Sequence, residues 1–416
     1  MHIDQLETPV AVVDLDRLEA NIARLQAYLS QHGIANRPHI KTHKIPEIAH
    51  MQLAAGAVGI TCQKIGEAEI MAQAGIRDIF LPYNIVGEAK LERLMRLAHR
   101  ARLSVTADSE ATVRGLAGAA RRAGLRLPVL VEFDGGAARC GVQSPHEAAE
   151  LARVIASSDS LEFGGLMTFP TNERTEPFAR AVIDLLAPDG IAVARVSGGG
   201  TPQMWHAHER PLVNEHRAGM YIFGDRNTIA SGAVTPDTCS FRVITTVVSR
   251  PTADRGILDG GSKTFSSDLL GLEGHGQIVE YPEARFYAMS EEHGHVDFSA
   301  CARKPAIGER VSVIVNHCCP VVNLFNQLIG VRGGLVEVVW PVAARGGAAD
   351  GAPPPPRPPR PRTWEWGVGG VRCGRGGDRT SQPDVSPPPL TGEGEGGGVD
   401  RRCTSPALFA RARATQ

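Results

Sequence analysis

The chain is predicted to be an α/β protein: a (β/α)8 barrel of the TIM type followed by a mostly antiparallel β domain, with a disordered Pro/Gly/Arg-rich C-terminal tail. Three observations carry this reading. As far as Phe223, short β-rich runs alternate with amphipathic helical stretches; from about Ser240, strand patterns follow one another through turns; from about Gly346, proline, glycine and arginine take over. Strands alternating with helices mark a parallel sheet, and strands joined by turns an antiparallel one. At 416 residues the chain exceeds what one small core organises, which also argues for two folded domains.

In order along the chain, the first strand is expected from Pro9 to Leu15, and Asp16 is placed to cap a helix that runs to Leu29 and stops at Gly33. Further strands are expected over Asn36 to Lys41, Val58 to Cys62, Asp78 to Pro82, Leu103 to Ala107, Pro128 to Asp134, Leu161 to Met167, Ala192 to Ser197 and Gly219 to Phe223. A helix begins near Pro46, and helical patterns cover Leu91 to Ala101, Glu110 to Ala123 and His146 to Ala156. That strand count suits a closed barrel better than an open sheet. In the second domain strands are expected over Phe241 to Ser249, Asp254 to Leu258, Gly276 to Glu280, Ala284 to Ser290, Arg310 to Val315 and Leu328 to Val331, without a helix-length pattern. The resulting domains are residues 8–235 and 236–345. Residues 346–416 have too few apolar side chains to offset the ordering entropy of roughly 1–2 kcal/mol per residue, so a tail without structure is expected, with Trp364 and Trp366 its only sticky spot.

Composition narrows the function. The formal net charge of −1 argues against a nucleic-acid surface. No apolar run approaches the ~20 residues needed to span a bilayer, and the start, Met1 to Pro9, lacks the basic and apolar regions of an export signal. Eight scattered cysteines fit a reducing compartment, so a cytoplasmic enzyme is expected.

Two segments carry chemistry. In Asn316-His317-Cys318-Cys319-Pro320, read as the end of a β-strand, His317 and Cys319 share one face while Cys318 takes the other. One imidazole and one thiolate suit Zn²⁺ or a similar ion with open positions; a buried histidine beside a core thiol gives the same pattern. In Arg37-Pro38-His39-Ile40-Lys41-Thr42-His43-Lys44, Lys41 falls at the carboxyl end of a parallel strand, where barrels keep their chemistry. Cationic neighbours there would lower its pKa, as a Schiff-base lysine needs; a solvated basic turn is the plainer reading.

These motifs, together with Gly59 to Glu69, Ser197-Gly198-Gly199-Gly200-Thr201-Pro202, Ser290 to Gly294 and His317 to Leu324, resemble the D-threonine aldolase and D-serine dehydratase family from about Asp4 to Gly346. The resemblance implies an alanine-racemase-like barrel, pyridoxal 5'-phosphate on Lys41, one divalent metal (zinc or manganese) on His317 and Cys319, and a homodimer. It also implies that residues 1–15 join the β domain, which delivers the metal site to the barrel mouth. Carried over residue by residue, Gly199, Gly200 and Thr201 with Gly219, Met220 and Tyr221 form the phosphate cup, although Tyr221 also reads as an ordinary barrel aromatic. The segment Asp134 to Gly141 resembles the family's arginine turn, so Arg139 faces a cofactor phenolate or a substrate carboxylate, or else pairs with Asp134. Relatives usually carry tyrosine where Phe169 stands, which leaves Phe169 as a cofactor-side packing residue, and a polar residue where Met220 stands. Glu292 or His293 is assigned to orienting His317 or a metal-bound water, with direct ligation as the sharper alternative.

The implied substrate is a D-β-hydroxy amino acid. Two outcomes are open: retro-aldol cleavage to glycine plus an aldehyde, preferred because the stretches Pro82 to Glu88 and Leu258 to Thr264 look closer to low-specificity D-threonine aldolases, or dehydration to a 2-oxo acid plus ammonia, since the thiolate of Cys319 resembles the D-serine dehydratase form of the motif. A racemase needs no metal beside the β-carbon, and a non-enzymatic cofactor carrier lacks a β domain.

Overall fold

The structure, a computed structural model, describes residues 1–346. The tail anticipated from residue 346, with Trp364 and Trp366, lies past its first residue outside the described residues.

Nine strands come first: β1 (Val10–Asp14), β2 (Ala35–Asn36), β3 (Ile60–Thr61), β4 (Asp78–Asn84), β5 (Arg102–Ala107), β6 (Leu127–Asp134), β7 (Leu161–Phe169), β8 (Val196–Gly198) and β9 (Glu215–His216). Strands β2 to β9 build one parallel sheet in the order β2-β9-β8-β7-β6-β5-β4-β3. Its end strands meet along a seam, where Val58 N donates to Asn36 O at 2.9 Å and Thr61 N to Pro38 O at 2.8 Å. The sheet thus curls into a barrel.

Between the strands run α1 (Leu15–Gln31), α2 (Pro46–Ala54), α3 (Ile65–Gln73), α4 (Glu88–Ala98), α5 (Glu110–Arg122), α6 (Pro145–Ala156) and α7 (Thr175–Leu186). Helix α1 buries Leu15, Leu18, Ile22, Leu25 and Leu29, a three-four spacing that lays one apolar stripe against the core. Its cap is Asp14, whose carboxylate accepts from Arg17 N at 3.0 Å. The expected cap, Asp16, lies inside the first turn; two aspartates of equal capping aptitude stand two residues apart, and the strand end selects the first.

Three further helices, α8 (Arg226–Ala230), α9 (Ser262–Phe265) and α10 (Cys318–Leu324), and eight strands complete the described chain: β10 (Phe241–Ser249), β11 (Arg255–Leu258), β12 (Gly276–Ile278), β13 (Arg285–Met289), β14 (Gly294–Asp297), β15 (Arg310–Val315), β16 (Gln327–Arg332) and β17 (Leu335–Pro341). The second sheet includes β1, antiparallel to β10 and parallel to β16. The opening strand therefore belongs to the β domain, as the resemblance implied. A core of Leu18, Leu25, Tyr221, Phe241, Val313, Cys318 and Val321 runs from α1 into this sheet.

Two expected strands are not strands at their chemically important ends. The run Asn36 to Lys41 is extended only to Asn36, and Lys41 sits in a 3-10 turn, Ile40–Thr42. The run Gly219 to Phe223 is replaced by β9, four residues earlier, and a second 3-10 turn, Met220–Ile222. Both segments are short, so periodicity alone does not separate a strand from a tight turn.

Inside the barrel, charge is buried in pairs. Arg37 donates to Glu215 at 2.7 Å and to Asp78 at 2.5 Å, and Arg195 lies 3.5 Å from Glu215. Glu215 also accepts from Ser197 Oγ, which in turn accepts from Arg217 Nη1 at 2.7 Å. Burial alone would raise the Glu215 pKa; Arg37 and Arg195 outweigh it and hold the carboxyl below its ordinary value. Replacing Glu215 by alanine strands Arg195 and leaves Arg37 with Asp78 alone, and is expected to cost about 3–5 kcal/mol in urea unfolding. A loss under about 1 kcal/mol would mean the ladder is not a structural element.

Candidate active site

The carboxyl ends of the barrel strands and the start of α10 enclose a cavity of 280 Å³. Its wall includes Lys41, Arg139, Phe169, Gly200, Thr201, Gly219, Met220, His317 and Cys319. Residues from both ends of the chain thus face one space. The side chain of Tyr221 does not: its ring is in the core, and its hydroxyl accepts from Gln52 Nε2 at 2.9 Å.

The two lysines of the basic segment separate cleanly. Lys41 lines the cavity. Lys44, held at φ 57°, turns its nearly buried ammonium to Asn323 Oδ1 at 2.8 Å and Glu67 Oε1 at 3.4 Å. The expected ring of cations around Lys41 does not form, because Lys44 is paired and both imidazoles are kept neutral. Burial, followed by Lys41, holds His39 well below its ordinary pKa, and burial pulls His43 down to about 3. His39 Nδ1 accepts from the Lys41 amide at 3.4 Å, so its Nε2 carries the proton shared with Gln63 Oε1 at 3.0 Å.

The His-x-Cys pair lines the same cavity. Strand β15 ends at Val315, so His317 and Cys319 are not strand neighbours; His317 is the N-cap of α10 and Cys319 its second residue. Pro320 suits a first helical turn, and Asp225 anchors it by accepting from Cys318 N at 3.0 Å. The two side chains still converge. The Cys319 thiol is held well below its ordinary pKa by the Cys318 thiol first, then, against the effect of burial, by the His317 imidazole and Thr42. Burial would lower His317, but Cys319 and Asp268 outweigh it and push it up to about 9. Asp268 Oδ2 lies 2.7 Å from His317 Nδ1. Glu292, assigned from sequence to orienting His317, instead pairs with Lys263 at 2.8 Å, and the structure shows no bond from His293 to the imidazole.

The remaining wall fits an anionic cofactor. Gly200 takes φ 139°, closed to L side chains, and a Cβ on Gly219 would press within 2.8 Å of Thr42 Oγ1. The buried Thr201 hydroxyl has no hydrogen-bond partner among the described residues, so the cup holds an unspent donor. The leading N–H groups of the Met220–Ile222 turn are without intrahelical acceptors. Phe169 carries the guanidinium of Arg139 5.1 Å above its ring. Arg139 reaches Glu132 at 3.8 Å and not Asp134, whose Oδ1 accepts from Gly136 and Ala137 in the turn. Burial raises the Glu132 carboxyl to about 7 despite that arginine. Arg217, which sequence reading passed over, also lines the cavity; burial pulls it down to about 10.

A metal finds a smaller donor set. Among the described residues no three His, Cys, Asp or Glu side chains are grouped to hold an ion. His317 and Cys319 offer one nitrogen and one sulfur, a fit for a borderline ion with open positions. Among the described residues no helix is long and apolar enough to cross a membrane.

Comparison with known proteins places this geometry. The alanine racemase N-terminal domain family matches residues 13–227, and the family described as "Putative serine dehydratase domain" matches residues 240–331. The D-threonine aldolase of Arthrobacter sp is 36% identical over 82% of this chain and 93% of its own length. The 3-hydroxy-D-aspartate aldolase of Paracoccus denitrificans (strain Pd 1222) is 31% identical over 83% and 94%. The crystal structure of D-threonine aldolase from Filomicrobium marinum superimposes with a TM-score of 0.76 at 32% identity, covering 83% of this chain and 97% of that one. A cysteine-to-alanine mutant of D-threo-3-hydroxyaspartate dehydratase, solved in the metal-free form, gives a TM-score of 0.74 at 27% identity over 82% and 98%.

The two lysines provide a check. Replacing Lys44 by methionine leaves buried Glu67 without its cation and is expected to cost about 3 kcal/mol in urea unfolding. The same change at Lys41 is expected to stay within about 1 kcal/mol. Equal costs would contradict the different environments described.

Proposed function

Since the chain belongs to the D-threonine aldolase and D-serine dehydratase family of alanine-racemase-like proteins, we propose that it is a lyase using pyridoxal phosphate and a divalent metal to cleave D-3-hydroxy amino acids between Cα and Cβ. D-threonine then gives glycine and acetaldehyde. The observation that carries this reading is that Lys41 and the His317/Cys319 pair line one cavity.

When bound, the cofactor supplies an electron sink at Cα and the metal a Lewis acid at the β-oxygen. The chain does the rest. Lys41 Nζ would hold the cofactor through its carbonyl carbon, and the same amine, on the cavity wall, is placed to carry a proton at the substrate Cα. Thr201 and the glycine-lined cup would hold the phosphate. Arg139 is half-exposed and faces the cavity from the Phe169 ring, a fork suited to a carboxylate or phenolate. His317 and Cys319, which line the same cavity, would supply the metal's donors. Neutral His39, bonded to the Lys41 backbone, fixes the turn without adding charge.

Dehydration is the second reading: a cysteine at position 319 resembles the D-serine dehydratase form of the motif. The same residues serve both reactions; they part at whether the β-hydroxyl loses its proton or leaves as hydroxide.

Past His317, Asp268 and Cys319 the adjoining wall carries no charged side chain among the described residues: Asn227, whose backbone N–H donates to Asn316 O, and Leu270, two residues from Asp268, line it. A β-carboxylate there would be desolvated without a dedicated cation, so D-threonine is expected to exceed D-3-hydroxyaspartate in kcat/KM by about tenfold or more. Leu270→Arg is expected to narrow that ratio. Product analysis on D-threonine decides the reaction: glycine with acetaldehyde supports cleavage, whereas 2-oxobutyrate with ammonia assigns a dehydratase. No turnover of any D-3-hydroxy amino acid would refute both.

A further inference from the structure

Asp268 is the one carboxylate in hydrogen-bond contact with the His317 ring among the described residues, and the reading above gives it no task. It sits in an exposed loop whose flanking residues, Ser266 (φ 66°) and Leu270 (φ 47°), both take left-handed backbone without being glycine. Such conformations cost free energy and persist where contacts hold them. Here Ser266 N donates to Ser262 O at 3.0 Å, Asp268 N to Ser266 Oγ at 3.1 Å and Leu272 N to Leu269 O at 2.9 Å. The loop therefore presents the carboxylate in one place, 49 residues before the histidine it meets.

We propose that Asp268 is a positioning residue for the metal site: by accepting the Nδ1 proton of His317 it fixes the imidazole tautomer and ring plane, leaving the Nε2 lone pair for the ion. The inference rests on the proposed metal-dependent function. Its logic is that of an imidazole ligand in general, whose second nitrogen must be held by an acceptor if the first is to point reliably at a cation. Position supports it. The Cys319 sulfur lies beside the same imidazole, and both residues face the cavity. The carboxylate is 40% exposed, so removing it costs the fold little, and an effect on metal binding is separable from unfolding. Glu292 cannot substitute, being committed to Lys263.

The test titrates Co²⁺ into chelator-treated, cofactor-loaded wild-type, Asp268→Ala and Asp268→Asn proteins. It reads the dissociation constant, the near-ultraviolet thiolate-to-cobalt band, the cofactor absorbance and the melting temperature of the metal-free proteins. The expected result is a dissociation constant about 10- to 100-fold weaker for Asp268→Ala. Substantial recovery is expected in Asp268→Asn, whose amide oxygen still accepts. Cofactor absorbance and melting temperature are expected to stay unchanged. Equal affinities in all three proteins overturn the inference alone. So does a loss of affinity that only follows a lowered melting temperature. If the wild-type protein binds no Co²⁺, both the inference and the metal-dependent reading fall.

Discussion

The site depends on how the turn that carries Lys41 is tied to the helix that carries Cys319. Thr42 Oγ1 meets Cys319 Sγ at 3.4 Å, and Lys44 Nζ meets Asn323 Oδ1 at 2.8 Å. Two residues just after Lys41 thus grip α10. Behind this joint, β1 is sewn between β10 and β16, so the first strand of the chain anchors the barrel's first helix to the second sheet. Without that weave the two halves of the chain would have no reason to present a lysine and a metal-type donor pair to the same space.

Burial then sets the charge of the site. Imidazoles that would be half-protonated in water are neutral at His39 and His43, so the segment around Lys41 is less cationic than its sequence suggests. Positive charge comes instead from the barrel interior, where Asp78, Arg37, Glu215, Ser197 and Arg217 form a bonded chain leading to the cavity wall. Each buried charge is compensated by the next, which is the condition for keeping arginines in a low-dielectric interior. Of the buried side-chain polar atoms without a partner among the described residues, the Thr201 hydroxyl is the one on the cavity wall, where a ligand would complete it.

Much of this was legible in the sequence where local pattern decides local structure. β10 and β15 run over the residues that alternation indicates, and β4, β6 and β7 start within a residue of their expected positions. Motif resemblance found the residues of the cavity even where the element type was wrong, because His317 and Cys319 converge from a helix start as well as they would from a strand. What sequence could not supply is fixed by tertiary contact. Nothing local distinguishes Lys41 from Lys44; the positions of Glu67 and Asn323 do. Nothing local chooses Asp268 over Glu292 for His317, since the choice is made by a loop folded back across the cavity. The requirement that a metal-type histidine have a carboxylate partner was a usable signal, but it named the nearer acidic cluster.

The central claim is that one cavity holds both an aldehyde cofactor on Lys41 and a divalent ion on His317 and Cys319. Anomalous diffraction at the manganese edge, from crystals grown with pyridoxal phosphate and Mn²⁺, tests it most directly. The account predicts a single anomalous peak between His317 Nε2 and Cys319 Sγ, facing continuous electron density from Lys41 Nζ to the cofactor. A peak elsewhere, or cofactor density on another lysine, would contradict it.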